Sequence, residues 1–558
     1  MNTNVTEGIK PVMTDPTREN GETAPRTKGV LLQVKGLTVR TSAGESLLSD
    51  ISFHVEPSEL VALTGLSRSG KSVLLQSLAG LMKPESGTIL IDGVDLAPNL
   101  KAFRPTIGFV PAEYPLPQNL TVAELLEDEA RLRLPRRITS RERKERVLAL
   151  LQAVGLTQET GRRLGTLSNF ERRKVGIAVE LMAYPGLLLV DASAEPLAPF
   201  EEVEILILLK ELSRQGLTII QVNERSRSVG IADKILFLAP GGLLAWFGPG
   251  DETFAYLKGL LPRGVVKDLF GLQEALEILV KPQSQDGIEW AKRFRDHEAY
   301  QRYVDDPLHN RYPDLLLQTR PLLRLRLRNA SQEKVPPRII PRASGLQKLR
   351  LLIRRNSRLS WRDRTTLRLL AIPPLVALVT FGLSATTILG PVAGESTRSP
   401  TAFGLLMFVV VLTAAFVVQN EISKERPIYE REHRTSPMLL PYVLSKVWLA
   451  GLLAIYQGLI WMGVLFLAIM GQTVNFEALR YYGITFCLIA LIGGILGLIV
   501  SSLSRTAMPP LGWLLLLTVP QLLLILSPLG QWSGLAIMSL FLLIALVGIQ
   551  RVAGAVRT

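Results

Sequence analysis

Cysteine is almost absent from this chain. Cys487 is the single one in 558 residues, which excludes an intramolecular disulfide framework and a cysteine-rich zinc site. Histidine is scarce as well, with four residues and no HExxH pair, so the common metal-hydrolase arrangement is missing. The first 28 residues contain no apolar run; they read as a disordered polar tail, and no cleavable leader is expected there. What the chain does have is positive charge combined with hydrophobicity. Lys+Arg number 63 against 49 Asp+Glu, a net charge of +14, yet 47% of residues are hydrophobic and the mean hydropathy is +0.26. So apolar a chain is no disordered polyelectrolyte. Its length leaves room for two or more domains of roughly 100–200 residues.

The charge is unevenly placed. Residues 1–260 hold 30 basic and 31 acidic side chains, residues 261–366 hold 22 and 12, and residues 367–558 hold 11 and 6. Arg320 to Arg364 alone carries 14 basic and 2 acidic residues. Six long apolar segments follow, near 367–390, 402–420, 446–470, 481–503, 508–527 and 534–550. Each approaches the roughly 20 residues that a helix needs to cross a bilayer. Pro373-Pro374, Gly493-Gly494 and Pro520 interrupt some of them, which membrane helices tolerate.

Loop charge sets the expected topology. With the N-terminal half inside, the second-to-third loop brings Lys424, Arg426, Arg431, Arg434 and Lys446 to the cytoplasmic side. Arg505, Arg551 and Arg557 fall there too, whereas the outer loops hold only Arg398 and Arg480 as basic residues. Both termini are therefore expected in the cytoplasm. Gly345 to Arg364 mixes leucines with seven basic residues, as suits a helix on the inner surface of the lipid bilayer with its charges toward anionic headgroups. A nucleic-acid patch is the competing reading. The apolar span that begins directly afterwards decides against a nucleic-acid partner.

The N-terminal part carries the chemistry. Ser58 to Thr64 reads as a buried strand, followed by Gly65-Leu66-Ser67-Arg68-Ser69-Gly70-Lys71-Ser72 and an apolar helix. This is GxxxxGKS in its required strand–loop–helix setting. Its backbone amides and the helix N-terminus suit phosphate oxygens. Lys71 would reach the β- and γ-phosphates of ATP, and the Ser72 hydroxyl would bind Mg²⁺. A second apolar strand, Gly186 to Val190, ends in Asp191, the residue type that completes such a metal site.

At this point the chain resembles an ATP-binding cassette transporter. IGFVPAEY (107–114), NLTVAELL (119–126), LSNFERRKVGIAVELM (167–182), LLLVDASAEPL (187–197) and TIIQVNERS (218–226) follow in the family's order. The segment 234–248 and the loop 421–446 look like the G-type, ABC-2 branch, in which the cassette precedes the membrane domain. The resemblance covers residues 30–260 and about 345–550. It implies an α/β P-loop ATP-binding cassette (29–260) followed by an all-α membrane domain of six transmembrane helices (365–558). Between them come a linker (261–344), with helices near 268–280 and 287–304, and the basic amphipathic helix (345–364).

The departures from the family are equally specific. Ala192 stands where the resemblance implies the water-polarising glutamate, Glu224 where it implies the switch histidine, and Ala112 where it implies the Q-loop glutamine. The signature LSGGE reads Leu167-Ser168-Asn169-Phe170-Glu171, and the D-loop reads Glu195-Pro196-Leu197-Ala198. An adenine-stacking aromatic is missing from LTVRTSAG (37–44). A general base contributes roughly 10²–10⁴-fold in rate, so no catalytic set is intact. The expectation is a half-transporter that binds Mg-ATP and hydrolyses it weakly or not at all. Its cargo would be hydrophobic or amphipathic, moved outward across the cell's inner membrane. It would act as a homo- or heterodimer, with a heterodimer containing a competent half favoured, although LSNFE would also weaken the partner's site. The alternative is a non-transporting membrane scaffold or regulator with a dead cassette. By the same resemblance, the loop 421–435 would couple cassette to spans.

Overall fold

Strands β1 (Leu32–Arg40) and β2 (Ser46–Val55) form an antiparallel hairpin that is buried throughout at Leu32–Val34 and Phe53–Val55 and of mixed exposure toward its turn. The computed structural model describes residues 29–136, 138–192, 197–223, 230–260, 286–308, 343–387, 400–435, 438–469 and 476–504, with positions 512, 514 and 518. They belong to two units. One runs to Arg342 without Pro115–Leu120, and the other holds Pro115–Leu120 and everything from Ala343 onward.

In the first unit, β1 and β2 join β4 (Ser86–Ile91) and β5 (Val94–Asp95) in a four-stranded antiparallel sheet. A second sheet has six strands. Its core strand β3 (Leu60–Gly65) is buried along nearly its whole length, as a continuous apolar strand can be only when both faces are covered. β3 lies between β8 (Thr218–Val222) and β9 (Lys234–Ala239). Beyond β8 come β7 (Leu187–Val190) and β6 (Ile107–Val110), all running parallel. β10 (Leu243–Gly248) closes the edge antiparallel to β9. Helices α1 (Lys71–Leu78), α2 (Leu96–Phe103), α3 (Val122–Arg133), α4 (Ser140–Ala153), α5 (Asn169–Leu181), α6 (Pro199–Arg214) and α7 (Gly250–Leu260) complete the α/β body.

Helix α8 (Asp286–Arg295) also belongs to this unit. Phe294 packs against Trp246 with ring centres 5.4 Å apart, and Trp290 lies 6.2 Å from Phe237. Part of the stretch read as a linker thus adds aromatic side chains to the sheet's outer edge. The helix anticipated near 268–280 lies outside the described residues.

The second unit is helical. α9 (Gly345–Arg362), α10 (Arg364–Leu369) and α11 (Ile372–Thr387) lead into α12 (Pro400–Val418), α13 (Glu421–Thr435), α14 (Leu439–Ile469) and α15 (Phe476–Leu503). Among the described residues three stretches are long and apolar enough to cross a membrane, Gly404–Arg434, Leu439–Val464 and Tyr482–Leu503. The segment anticipated as the first span is present as the 16-residue α11. The fifth and sixth anticipated spans lie almost wholly outside the described residues. Small residues let α12 and α15 approach closely. A Cβ on Gly493 would sit 2.5 Å from the Val411 carbonyl oxygen, and one on Gly497 2.4 Å from that of Ala415. This four-residue spacing is a common close-contact face in membrane helices.

Helix α9 carries charge on its buried face as well as its exposed one. Arg355, 3% exposed, donates two hydrogen bonds to Glu432 of α13 at 2.6 and 3.0 Å, and Asn356 Nδ2 donates to Ser445 Oγ of α14 at 3.0 Å. Arg355 therefore pairs with protein rather than with lipid headgroups. α13 is equally tied in. Ser501 Oγ accepts the backbone N–H groups of Ile422 and Ser423, two donors that the first turn of a helix leaves free. Lys446 lies 2.8 Å from Glu425 and 3.6 Å from Glu421. Arg431 Nη1 donates to the Pro115 carbonyl at 3.0 Å, within the same unit.

Asp363, the cap between α9 and α10, accepts from the Thr365 hydroxyl and backbone N–H and pairs with Lys424 at 3.0 Å. Partial burial works against its charge. The Thr365 and Lys424 hydrogen bonds outweigh this and bring the carboxyl from 3.8 down to about 2. A folded value below the unfolded one means that the contribution to stability is complete above 3.8 and is lost as pH falls through about 2. In acid unfolding of the full chain, Asp363→Asn should remove that part of the pH slope and leave the slope above pH 5 unchanged. A variant that follows the parent curve below about pH 4 would contradict this assignment.

Candidate functional site

The loop after β3 is shaped by what cannot be there. A Cβ on Gly65 would lie 2.3 Å from the Leu238 carbonyl oxygen and 2.8 Å from Ser69 Oγ. At φ 150° this glycine lets β3 end flush against β9. Arg68 (φ 65°) and Gly70 (φ 87°) then take left-handed backbone, curling the loop before α1 begins at Lys71. Leu74 N donates to the Gly70 carbonyl at 2.9 Å, so the first turn of α1 is closed. The amides of the loop therefore converge at a helix N-terminus, an arrangement that suits phosphate.

Lys71 is buried, and its ammonium is held by the carbonyls of Gly65 at 2.8 Å and Leu66 at 2.7 Å. Both acceptors belong to the loop itself, so the charge is stationed where phosphate would enter. Ser69 is fully buried, and its hydroxyl has no hydrogen-bond partner among the described residues. Leu66, Ser67 and Ser72 complete the loop in the positions anticipated from sequence.

Asp191 follows β7 and is 2% exposed. Its N–H donates to the Val110 carbonyl at 2.8 Å, and Arg173 Nη1 donates to its carbonyl at 3.2 Å. β8 stands between β7 and β3, with Val190 opposite Gln221 and Leu63 opposite Val222. Val190, the last residue of β7, is thus level with Ala62, three residues before β3 ends at Gly65, and two strand spacings, about 10 Å, to the side. Asp191 and Ser72 are oxygen donors of the kind Mg²⁺ prefers. Among the described residues no cluster of three or more His, Cys, Asp or Glu could hold a metal alone. One carboxylate beside a phosphate loop fits Mg²⁺, which is commonly bound by a carboxylate or two plus substrate phosphates.

Ala192 is the next residue after Asp191, and a methyl group cannot take a proton from water. Ala112 lies in the bend after β6. Glu224 and Glu195 lie outside the described residues. The signature residues begin α5. Ser168 caps it, accepting from Glu171 N at 3.2 Å while Glu171 Oε2 accepts from Ser168 N at 2.8 Å. Desolvation alone would raise the Glu171 carboxyl. The Ser168 N–H and an ion pair with Arg162 reverse this and hold it below the usual carboxylate range. Ser168 and Asn169 are exposed. The half-buried Phe170 lies under the Lys174 ammonium, 4.2 Å from the ring centre, and Lys174 also pairs with Glu204 of α6.

Reading by motif missed a buried charge cluster beside Ala112. Tyr114 donates to Glu180 Oε1 at 2.7 Å, and Arg133 donates twice to Glu180 at 3.1 Å and once to Glu129 at 2.8 Å. Arg133, Glu180 and Glu129 are each at most 5% exposed. The signal available in sequence was the i,i+4 pair Glu129/Arg133 on one helix face. Glu180, 47 residues later, gives no local hint.

Comparison with protein families matches residues 48–197 to the family described as ABC transporter and residues 347–529 to the one described as ABC-2 type transporter. The ABC transporter ATP-binding/permease protein Rv1747 of Mycobacterium tuberculosis is 31% identical over 221 residues, covering 40% of this chain and 26% of that protein. ABC transporter G family member 22 of Arabidopsis thaliana is 34% identical over 236 residues, 41% of this chain and 31% of its own length. The methionine import ATP-binding protein MetN of Corynebacterium diphtheriae is 31% identical over 237 residues, 41% of this chain and 68% of its own. The chain thus spans between a quarter and a third of the first two relatives.

Removing the arginine from the buried cluster leaves two carboxylates without their counter-charge, a loss of about 3–5 kcal/mol for a broken buried pair. Arg133→Met should therefore lower the thermal unfolding temperature of the cassette markedly. Unfolding unchanged to within about 1 kcal/mol would show that the cluster does not hold α3 to α5.

Proposed function

The chain belongs to the ABC transporter family, and we propose that it is one half of a dimeric exporter that binds Mg-ATP but turns it over weakly or not at all. The observation that carries this reading is an intact phosphate loop, Gly65–Ser72 with Lys71 stationed on it, beside a β7 terminus whose Asp191 is followed by Ala192. Binding and hydrolysis make different demands. Binding needs the amides, the lysine and a metal carboxylate. Hydrolysis also needs a group that accepts the proton of the attacking water.

Ser72 and Asp191 are the residues that would hold Mg²⁺, which neutralises charge on the phosphates. Lys71 would leave the loop carbonyls for the phosphates. With Ala192 no base stands directly after Asp191. Phe170 adds bulk to the signature turn that, in a dimer, would face the other half's nucleotide, while Ser168 still offers an exposed hydroxyl.

The ABC-2 match and the apolar helices make this a membrane protein. The reading continues with both termini cytoplasmic, in the inner membrane, and with a hydrophobic or amphipathic cargo. The six-span domain (365–558) and the cassette bounds (29–260) belong to the same proposal. A heterodimer with a competent half fits the missing base better than a homodimer.

The full chain, purified in lipid nanodiscs, should bind a fluorescent ATP analogue, and Lys71→Ala should abolish binding. Its steady-state ATP turnover should not exceed that of Lys71→Ala. Substantial turnover in the parent that Lys71→Ala removes would sink the inactive-cassette reading.

A further inference from the structure

An arginine occupies a glycine-like backbone position in the phosphate loop. Ser69 N–H donates to the Leu66 carbonyl at 3.2 Å, closing a four-residue turn with Arg68 as its third residue. A positive φ at that place suits glycine, and Arg68 adopts it at 65°. Left-handed backbone is unfavourable for a long side chain and collects at ligand sites, where surrounding contacts maintain it. Tyr184 shares this backbone, and the Arg146 guanidinium 3.9 Å over its ring holds it. Arg68 is exposed, and its guanidinium makes no hydrogen bond or ion pair among the described residues. No contact among the described residues accounts for an arginine here.

Its surroundings are those of a phosphate ligand. Arg68 and Lys71 are the charged residues of Gly65–Ser72. Lys71 is held by the Gly65 and Leu66 carbonyls, and the Leu66 carbonyl also closes the turn that carries Arg68. One carbonyl thus ties the lysine to the arginine's turn. Phosphates close to the helix would lie over the amides at the start of α1, with Mg²⁺ on Ser72 bridging the outer two. ATP carries one negative charge more than ADP, on its terminal phosphate. A guanidinium matches phosphate oxygens with two parallel N–H donors.

We propose that Arg68 is a second phosphate-binding side chain of the loop, pairing with the terminal phosphate of Mg-ATP and setting a preference for ATP over ADP. This rests on the reading of Gly65–Ser72 as an Mg-ATP site and deepens it by naming what selects the triphosphate. It does not depend on whether the cassette hydrolyses ATP.

The test titrates the full chain in lipid nanodiscs with Mg-ATP and with Mg-ADP, each displacing a fluorescent ATP analogue. Arg68→Gly removes the guanidinium and accepts the turn without strain. Arg68→Asn, neutral and tolerant of the same backbone, serves should the glycine variant not fold. Either substitution should weaken Mg-ATP about 10–100-fold, the loss of a hydrogen-bonded charge pair, and Mg-ADP by less than about 3-fold. A merely loosened loop would weaken both nucleotides alike. Unchanged affinity for Mg-ATP, or an equal loss for both, overturns the proposal and leaves the loop a nucleotide site. A parent chain that binds neither nucleotide overturns the proposal together with the Mg-ATP reading.

Discussion

The contact between the end of β3 and the neighbouring strand β9 governs the nucleotide half of this molecule. With only 2.3 Å between a would-be Cβ at Gly65 and the Leu238 carbonyl oxygen, any other residue would push β3 away from β9. The loop beyond would then lose its starting point. Because the approach is possible, the loop can turn through Arg68 and Gly70 and present its amides at the start of α1. Lys71 is placed by the same geometry, since its two acceptors are carbonyls of that turn. Asp191 inherits its position from the parallel pairing of β3, β8 and β7.

The helical unit depends on a different constraint, the close burial of opposite charges. Arg355, Arg431 and Lys446 are buried against Glu432, which is buried too, and against Glu421 and Glu425, which are nearly so. Ion pairs of this kind add little net stability over apolar packing, but breaking one is strongly unfavourable. They therefore fix geometry. Together with the Ser501 cap, they make α9, α13 and the start of α14 a piece that moves together or not at all.

Much of the nucleotide site was legible in the sequence because its signals are local. GLSRSGKS follows a continuous apolar strand, and Asp191 ends another. Both patterns depend on residues within about ten positions of each other. The apolar lengths of α12, α14 and α15 were legible for the same reason. What sequence could not give were pairings over long separations. Glu180 meets Arg133 across 47 residues, and Phe294 reaches Trp246 from a stretch with no motif. Arg355 belongs to a run that suits lipid headgroups by composition, yet Glu432 claims it across 77 residues.

The central claim is that this chain separates holding ATP from cutting it, and the state of nucleotide retained by the protein tests that most directly. The full chain in nanodiscs is loaded with Mg-ATP, freed of excess nucleotide, and its bound fraction is analysed over time. The account predicts that the retained nucleotide stays ATP for many times the turnover period of a competent cassette. Steady conversion of the retained ATP to ADP, absent in the Lys71→Ala chain, would contradict it.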